Sequence, residues 1–334
     1  MRKMCLGLWL LRLVCDPKNP DRAGRKDLRC MNGLTLSRKF YDTYGEPMLR
    51  EQFPELLSRI AVGLCGSGSE CFGFDDEISQ DHDFEPGFCL FIPDEEVIDR
   101  RTAFLLERAY SKLPKEFLGY QRNPLDPVGG NRHGVIRMAD FFRDKTGSPD
   151  GTLSLMDFCR IPEQSLAEAT NGEIFRDDAG IFSSIRVSLS YLPEDVRRKK
   201  LAGNLLLMGQ AGEYNYPRCI ARGETAAAQL AAVEFAKSAL HTIFLLNHTY
   251  LPYYKWSFRA LRSLPLLSDL ADPLEYLISS GNVPGEVPQK TATIEEVTAS
   301  VIAQLRTQSL TQFPGDTAEG HAYSVNHHIT DPTL

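Results

Sequence analysis

Residues 60–83 of this chain read IAVGLCGSGSECFGFDDEISQDHD, and the fold prediction starts from them. The stretch begins with six apolar or small residues, which are typical of a buried β-strand. That strand runs directly into a turn of alternating glycine and serine at residues 66–69. The stretch ends with an acidic pair, Asp81 and Asp83, and a further apolar run follows it. The order of strand, small-residue turn and paired acids predicts that the turn and the acids belong to one site.

The two aspartates are spaced to act on one ligand. Residues i and i+2 of a β-strand point to the same face, so Asp81 and Asp83 would aim their carboxylates at one point while His82 turns away. Mg²⁺ takes oxygen ligands, often one or two carboxylates together with substrate phosphates, and paired ions can act on both the attacking and the leaving oxygen. No Lys or Arg occurs between Arg59 and Arg100, so these acids favour bound cations. We therefore predict two Mg²⁺ ions at Asp81 and Asp83.

The turn has the composition of a phosphate-binding element. Gly66 and Gly68 lack a Cβ, so backbone N–H groups can approach a phosphate closely. Ser67 and Ser69 add hydroxyl donors. The acids at residues 75–77 either form a solvated loop or support the metal site. The sequence thus predicts that these four turn residues bind nucleotide.

The same residues resemble a known superfamily. A hydrophobic residue, Gly-Ser, a short spacer and acid-x-acid are similar to the signature of DNA polymerase β-like nucleotidyltransferases. Within that superfamily, residues 66–84 resemble the DUF4037 group, which shares the Gly-Ser turn, a Gly-Phe-Asp-Asp segment and an Asp-His-Asp strand. Residues 162–164, 172–177 and 251–256 also resemble that group, and the likeness extends over residues 33–265. The resemblance implies an α+β fold, with a nucleotidyltransferase-like mixed-sheet domain followed by an all-helical bundle.

Enzymes of this superfamily normally need a third carboxylate on a neighbouring strand. The predicted strand at residues 134–138 carries Arg137 instead of an acid. The remaining candidates are Asp140, Asp157 and Asp177. We prefer Asp177 because it ends a predicted strand, although a turn aspartate fits the same local sequence.

The predicted helical half adds a second set of candidate residues. Arg218, Arg222 and Lys255 could meet the triphosphate, because cations stabilise phosphoryl charge. Glu224 could accept the proton of an acceptor hydroxyl. An ion pair or a helix cap is the alternative role for each of the four.

The pattern along the chain divides it into four segments. Residues 1–30 are expected to be an upstream extension, and residues 31–190 alternate helix and strand, ending in a predicted strand pair over 172–189. From Pro193 only helices are predicted, which gives a helical domain over residues 191–310. Low hydrophobicity from Gln312 onwards predicts a disordered tail over residues 311–334.

Composition limits the partners. The net charge of −7 argues against nucleic acid, which needs a basic surface, and no segment is predicted to cross a membrane. The eight cysteines form no Cys-x-x-Cys pair, which argues against zinc and indicates the cytoplasm. His133, His241 and His248 show no metal-ligand spacing and are expected to be structural.

The predicted activity is transfer of a nucleoside monophosphate from a nucleoside triphosphate to an acceptor hydroxyl, with release of pyrophosphate. The resemblance implies an acceptor between the domains, either a small molecule, as in aminoglycoside resistance, or a protein side chain. Two alternatives stay open. One is a metal-dependent phosphohydrolase, and the other is a catalytically degenerate module that binds a nucleotide or a partner.

Overall fold

The computed structural model describes residues 31–76, 84–122 and 132–334. The sheet-bearing first half contains, with short 3₁₀ and π-helical segments between them, α1 (Gly33–Phe40), α2 (Glu46–Gln52), β1 (Ala61–Leu64), β2 (Cys89–Ile92), α3 (Arg100–Ser111), β3 (Glu116–Phe117), β4 (Tyr120–Gln121), β5 (Gly134–Arg137), α4 (Met138–Thr146), α5 (Leu155–Arg160), α6 (Glu163–Thr170), β6 (Glu173–Asp177) and α7 (Ile181–Leu189). The helical second half contains α8 (Glu194–Met208), α9 (Tyr216–Ala221), α10 (Thr225–Leu246), α11 (Tyr254–Leu261), α12 (Ala271–Ser279), α13 (Val287–Thr307) and α14 (Ala318–His327).

The main sheet is small and mixed. Its strand order is β5-β2-β1-β6, with β2 and β5 parallel and the other two pairings antiparallel. Alternate residues of the central strands face opposite sides, so Val62 and Leu90 pack with α1, α2 and α3, whereas Ala61 and Phe91 pack with α4, α6 and α7. Burial on both faces explains why these strands are continuous apolar runs instead of alternating ones.

The helical half has its own core around α10, whose alanines and aromatic residues are buried by α8, α12 and α13. Its first helix begins after Pro193, as the sequence predicts, with Glu194 and Asp195 in the first turn. The predicted α+β class, with a small mixed sheet and a helical C-terminal part, is confirmed. No helix in the described ranges is long and apolar enough to cross a bilayer.

The predicted strand pair over residues 172–189 is wrong in its second member. β6 ends at Asp177, and Gly180 adopts the left-handed conformation (φ +68°) before α7 begins. Phe182 and Leu189 are both fully buried, and their separation of seven positions is two helical turns. The β-branched residues between them favoured a strand, but tertiary burial of one helical face overrides that propensity.

The predicted disordered tail is also wrong. Residues 318–327 form α14, which packs along α8 and places Ala318, Ala322 and Val325 in the helical core. His321 is fully buried between the Thr311 hydroxyl, 2.8 Å from Nδ1, and a backbone carbonyl on its other side. A helix can pack on its neighbours with few apolar residues when those residues recur on one face. The low overall apolar content of this segment hid that spacing in the sequence.

Candidate functional site

The glycine-serine turn leaves the C-terminal end of β1 and is fixed by one side chain. Asn171, the C-cap residue directly after α6, accepts from the Gly66 N–H through Oδ1 (2.8 Å) and donates through Nδ2 to the Gly66 carbonyl (2.8 Å). Gly66 and Gly68 have φ of +111° and +125°, a region that side chains rarely adopt. The turn therefore needs glycine at both positions, and its backbone conformation is held from a distant helix.

A lysine and a glutamate meet the turn at Ser67. The Ser67 hydroxyl donates to Glu168 Oε2 (2.7 Å), and Lys145 Nζ lies 3.1 Å from Ser67 Oγ and 2.8 Å from Glu168 Oε2. Burial disfavours the charged ammonium, but the hydrogen bonds that it donates to Glu168 and Asp144 outweigh this effect and raise the pKa of Lys145. The Lys145 ammonium is therefore charged at neutral pH, and it is paired with two carboxylates next to the turn. Sequence reasoning missed Lys145, Glu168 and Asn171.

The described residues on either side of residues 77–83 converge at the N-terminus of α1. Asp75 Oδ2 accepts from the Gly33 N–H at 2.8 Å. A Cβ built on Gly33 would lie 2.5 Å from Glu70 Cβ and 3.3 Å from the Phe84 ring, so both residues contact this helix end. Glu70 lies beneath the turn, because a Cβ on Gly68 would lie 2.4 Å from its carboxylate. Both flanks of the segment are thus anchored next to the turn.

Helix α11 of the helical half contacts the same loop. Arg259 Nη1 donates to the Phe74 carbonyl (2.6 Å) and lies 3.4 Å from Asp76 Oδ2. The Trp256 ring is 5.9 Å from that of Phe74, and Lys255 Nζ lies 5.0 Å from the Trp256 ring centroid. Lys255, a predicted site residue, therefore belongs to a helix that reaches the turn's loop. Arg259 lies closer to that loop and was not predicted.

The other predicted cations and the predicted base lie elsewhere. Arg218 contacts its neighbour Tyr214, with the guanidinium 4.1 Å from that ring, and Arg222 and Glu224 precede the first residue of α10. Helix α10 has 22 residues, so it is about 33 Å long at 1.5 Å per residue. The cleft described below meets α10 at its other end, near Phe244. The structure does not bring these three residues to the turn.

The sheet register separates Asp177 from the turn. Asp177 is paired with Ala61, whereas Leu64, which precedes the turn, is paired with Glu173. Three residues of strand are about 10 Å, so Asp177 lies at the opposite end of β1. Its carboxylate accepts from the Ser183 N–H at 2.7 Å, at the start of α7. This placement puts Asp177 away from the turn, which argues against it as the third carboxylate.

The remaining acidic candidates have local partners. Asp140 forms an ion pair with Arg143 (2.8 Å), and Asp157 forms a capping box with Ser154. Within residues 31–76, 84–122 and 132–334 no group of three or more His, Cys, Asp or Glu side chains could hold a metal ion. The predicted ligands Asp81 and Asp83 lie outside the described residues.

A cleft of about 380 Å³ lies between the two halves, next to the turn. It is lined by Phe72, Phe74, Ala167, Thr170, Asn171, Ser190, Tyr191, Phe244, His248, Thr249, Tyr250, Pro252, Ala260, Ser263 and Leu264. None of these lining residues carries a carboxylate, an ammonium or a guanidinium group. Asn171 lines the cleft and also holds Gly66 through its side chain. The cleft is therefore next to the turn.

His248 is the only histidine among the residues that line the cleft. Partial burial and the positive charge of Arg197 lower its pKa, so the imidazole is neutral at pH 7 and can accept a proton. Its backbone is left-handed (φ +51°), which is uncommon for a residue with a Cβ. We therefore regard His248 as a functional candidate, although sequence reasoning treated it as structural.

The chain matches the family described as "Domain of unknown function (DUF4037)" over residues 158–257. That range contains Glu168, Asn171, His248 and Lys255, and it begins after the glycine-serine turn. No curated protein and no solved structure matches the chain. The resemblance to DUF4037 is confirmed over these residues, and the relation to nucleotidyltransferases stays a prediction.

Proposed function

We propose that this protein is a metal-dependent nucleotidyltransferase, which moves a nucleoside monophosphate from a nucleoside triphosphate to an acceptor hydroxyl. One observation carries the proposal. The turn at residues 66–69 has two glycines with left-handed φ, and Lys145 contacts it at Ser67. It lies beside the N-terminus of α1, where the described residues on both sides of the segment 77–83 make contact. Phosphate-binding loops need this close backbone approach, and paired carboxylates next to such a loop suit a metal-bound triphosphate.

The turn and its supports would bind the phosphates. Backbone N–H groups at residues 67–69 and the Ser69 hydroxyl would supply donors, since the Gly66 N–H is paired with Asn171 and the Ser67 hydroxyl with Glu168. Lys145 supplies a positive charge held 3.1 Å from the Ser67 hydroxyl, and Glu168 orients both groups. Because the turn is braced by Asn171, these donors keep their directions before the ligand arrives, which lowers the entropic cost of binding.

Asp81 and Asp83 are the proposed Mg²⁺ ligands. When bound, the ions would neutralise phosphate charge and stabilise the attacking and leaving oxygens. Arg259 reaches the same loop from α11, and Lys255 lies on that helix beside Trp256. Both would add positive charge on the side of the helical half.

The cleft is the proposed position of the acceptor. Its lining is aromatic and uncharged, so it favours an uncharged acceptor with an apolar or aromatic body over a polycation such as an aminoglycoside. In the proposed reaction the acceptor oxygen forms a bond to the α-phosphorus, the bond from that phosphorus to the bridging oxygen breaks, and pyrophosphate leaves. The proton of the acceptor hydroxyl would pass to neutral His248, which replaces Glu224 in this role.

Thermal unfolding with ATP, GTP, CTP or UTP, each with and without Mg²⁺, tests the proposal. A ligand that binds the native state must raise the melting temperature. We expect a Mg²⁺-dependent rise that is lost in the Asp81→Asn/Asp83→Asn double variant and reduced in Lys145→Gln. Lys237→Gln is the matched control, because Lys237 forms only an exposed ion pair on α10.

The products separate the alternatives. Pyrophosphate release supports nucleotidyl transfer, whereas orthophosphate release would indicate a phosphohydrolase. Binding without either product in the presence of candidate uncharged acceptors would favour a degenerate module. No shift with any nucleotide, in protein shown to be folded, would refute a triphosphate site.

A further inference from the structure

Three aromatic rings contact one another in sequence between the loop after the glycine-serine turn and the helical half. The rings of Phe72 and Phe74 lie within 8° of parallel, with their centroids 6.0 Å apart. The Trp256 ring, in the first turn of α11, lies 5.9 Å from that of Phe74 at an angle of 37°. We call these three residues the aromatic row. The row joins the two halves of the molecule at the proposed site.

The backbone holds the aromatic row next to the turn. The N–H groups of Phe72 and Phe74 both donate to the carbonyl of Ser69, the last residue of the turn, at 3.1 and 2.8 Å. On the other side, Arg259 of α11 donates to the Phe74 carbonyl at 2.6 Å. The rings therefore keep a fixed position relative to the turn, so a group attached to phosphates on that turn would lie within their reach.

Two cations of α11 lie against the same rings. The Arg259 guanidinium carbon is 5.5 Å from the centroid of the Phe74 ring, and Lys255 Nζ is 5.0 Å from that of Trp256. A cation within about 6 Å of a ring is attracted to its face. Sites that bind single nucleotides of any sequence combine aromatic faces for the base with positive charge for the phosphates. The row and its two cations supply both.

The aromatic row is accessible to a ligand. Its three side chains are all partly exposed, and the two tyrosines that precede it on the chain, Tyr253 and Tyr254, are 41 % and 76 % exposed. By contrast, the stacked pair Phe91 and Phe182 in the core of the first half is fully buried. Contact with water disfavours apolar ring surface, so a flat apolar group that covers the row would bind favourably.

The row also leads out of the cleft that is proposed to hold the acceptor. Phe72 and Phe74 line that cleft, whereas Trp256 is not among its lining residues. The other part of the cleft is formed by buried residues, which include Phe244 and Tyr250. A base at the Trp256 end of the row would therefore leave the buried part of the cleft open for an acceptor.

We propose that the nucleobase of the bound triphosphate stacks on Phe74 and Trp256. The inference rests on the proposed function, because only a triphosphate on the turn brings a base to the row. Stacking on a ring face requires no particular pattern of hydrogen bonds, so all four common bases would be accepted. Purines would bind more tightly than pyrimidines, since their larger rings cover more of the row.

The fluorescence of Trp256 provides a direct test. The chain has two tryptophans, Trp9 and Trp256, so Trp9→Phe leaves Trp256 as the only indole. The full-length variant is titrated with the Mg²⁺ complexes of ATP, UTP and inorganic tripolyphosphate, which share three phosphates and differ in the nucleoside. Stacking should quench the Trp256 emission with ATP and, less strongly, with UTP. Tripolyphosphate should leave the emission unchanged.

Isothermal titration measures what the ring contributes to affinity. ATP should bind about tenfold or more tighter than tripolyphosphate, which corresponds to about 1.4 kcal/mol. Trp256→Leu should remove most of that difference without changing the affinity for tripolyphosphate, and Trp256→Phe should retain most of it. Phe74→Leu tests the row from the loop side, because it removes the ring and keeps the backbone bond to Ser69.

Tyr323→Leu is the matched control, since Tyr323 is an exposed aromatic residue (64 %) on α14 and its ATP affinity should equal that of the parent protein. Equal affinities for ATP and tripolyphosphate would overturn the nucleobase assignment and leave the triphosphate site in place. An ATP advantage that survives both Trp256→Leu and Phe74→Leu would do the same. Failure of all three ligands to bind the folded protein would overturn this inference and the proposed function together. Thermal unfolding without ligand shows that each variant is folded.

Discussion

Substitution of Asn171 by alanine should loosen the glycine-serine turn. The asparagine side chain makes two hydrogen bonds of 2.8 Å to Gly66, one as acceptor and one as donor, and both are partly buried. Each bond contributes about 1 kcal/mol, and a buried backbone group left unpaired costs about 1–3 kcal/mol. Because water can reach part of this site, we expect Asn171→Ala to destabilise the protein by about 2–4 kcal/mol.

The assay is urea denaturation followed by far-UV circular dichroism, with Asn204→Ala as the matched control. Asn204 donates one bond (2.9 Å) to the carbonyl four residues earlier in α8 and contacts no distant loop through it. That variant should lose less than about 1 kcal/mol. Equal losses in the two variants would refute the reasoning that Asn171 braces the turn. If Asn171→Ala loses the expected stability but keeps its nucleotide affinity, Asn171 does brace the turn. That result would count against the turn as the phosphate site.

Three further outcomes are expected. Gly68→Ala should destabilise the protein more than Gly66→Ala, because the new Cβ would lie 2.4 Å from the Glu70 carboxylate, whereas the nearest atom at Gly66 is 3.5 Å away. The double variant Gly68→Ala/Glu70→Ala should recover part of the loss. If the melting-temperature shifts of the two single variants simply add in the double variant, the clash is contradicted. Burial lowers the pKa of His321 below 6.5, so the stability that its neutral form contributes is complete above about pH 6.5 and is lost as the pH falls. Denaturation at several pH values should show that the free energy of unfolding falls more steeply with acid in the parent than in His321→Gln. The control is His327→Gln, an exposed position, which should behave like the parent. His248→Asn should keep or raise the melting temperature, since asparagine tolerates the left-handed backbone, while product formation falls; an undiminished rate would exclude His248 as the proton acceptor.

Local sequence features were sufficient to predict several elements. The apolar run ending at residue 65 predicted β1, Pro193 marked the start of α8, and the alanine-rich stretch predicted α10. Each of these depends on interactions within a few residues of chain: side-chain pattern, a fixed proline φ, or helix propensity. The turn at residues 66–69 was predicted from its glycine and serine content, and the left-handed φ of Gly66 and Gly68 was found only in the structure.

Two elements were not predicted correctly because their stability comes from packing. Residues 181–189 contain β-branched residues and fold as α7 because one helical face is buried against the sheet. Residues 318–327 carry few apolar side chains, and they form α14 because those side chains fall on one face against α8.

The sequence by itself determined the α+β class, the apolar strand and the turn whose glycines its backbone requires. Only the tertiary structure decided which side chains meet that turn. Asn171 is 105 residues from Gly66 along the chain, Lys145 is 78 from Ser67, and Arg259 is 185 from the loop carbonyl it binds. It also placed Asp177, Arg218, Arg222 and Glu224 away from the turn. The physical reason is that strand register and helix packing depend on contacts summed over the whole chain, and no local pattern encodes them.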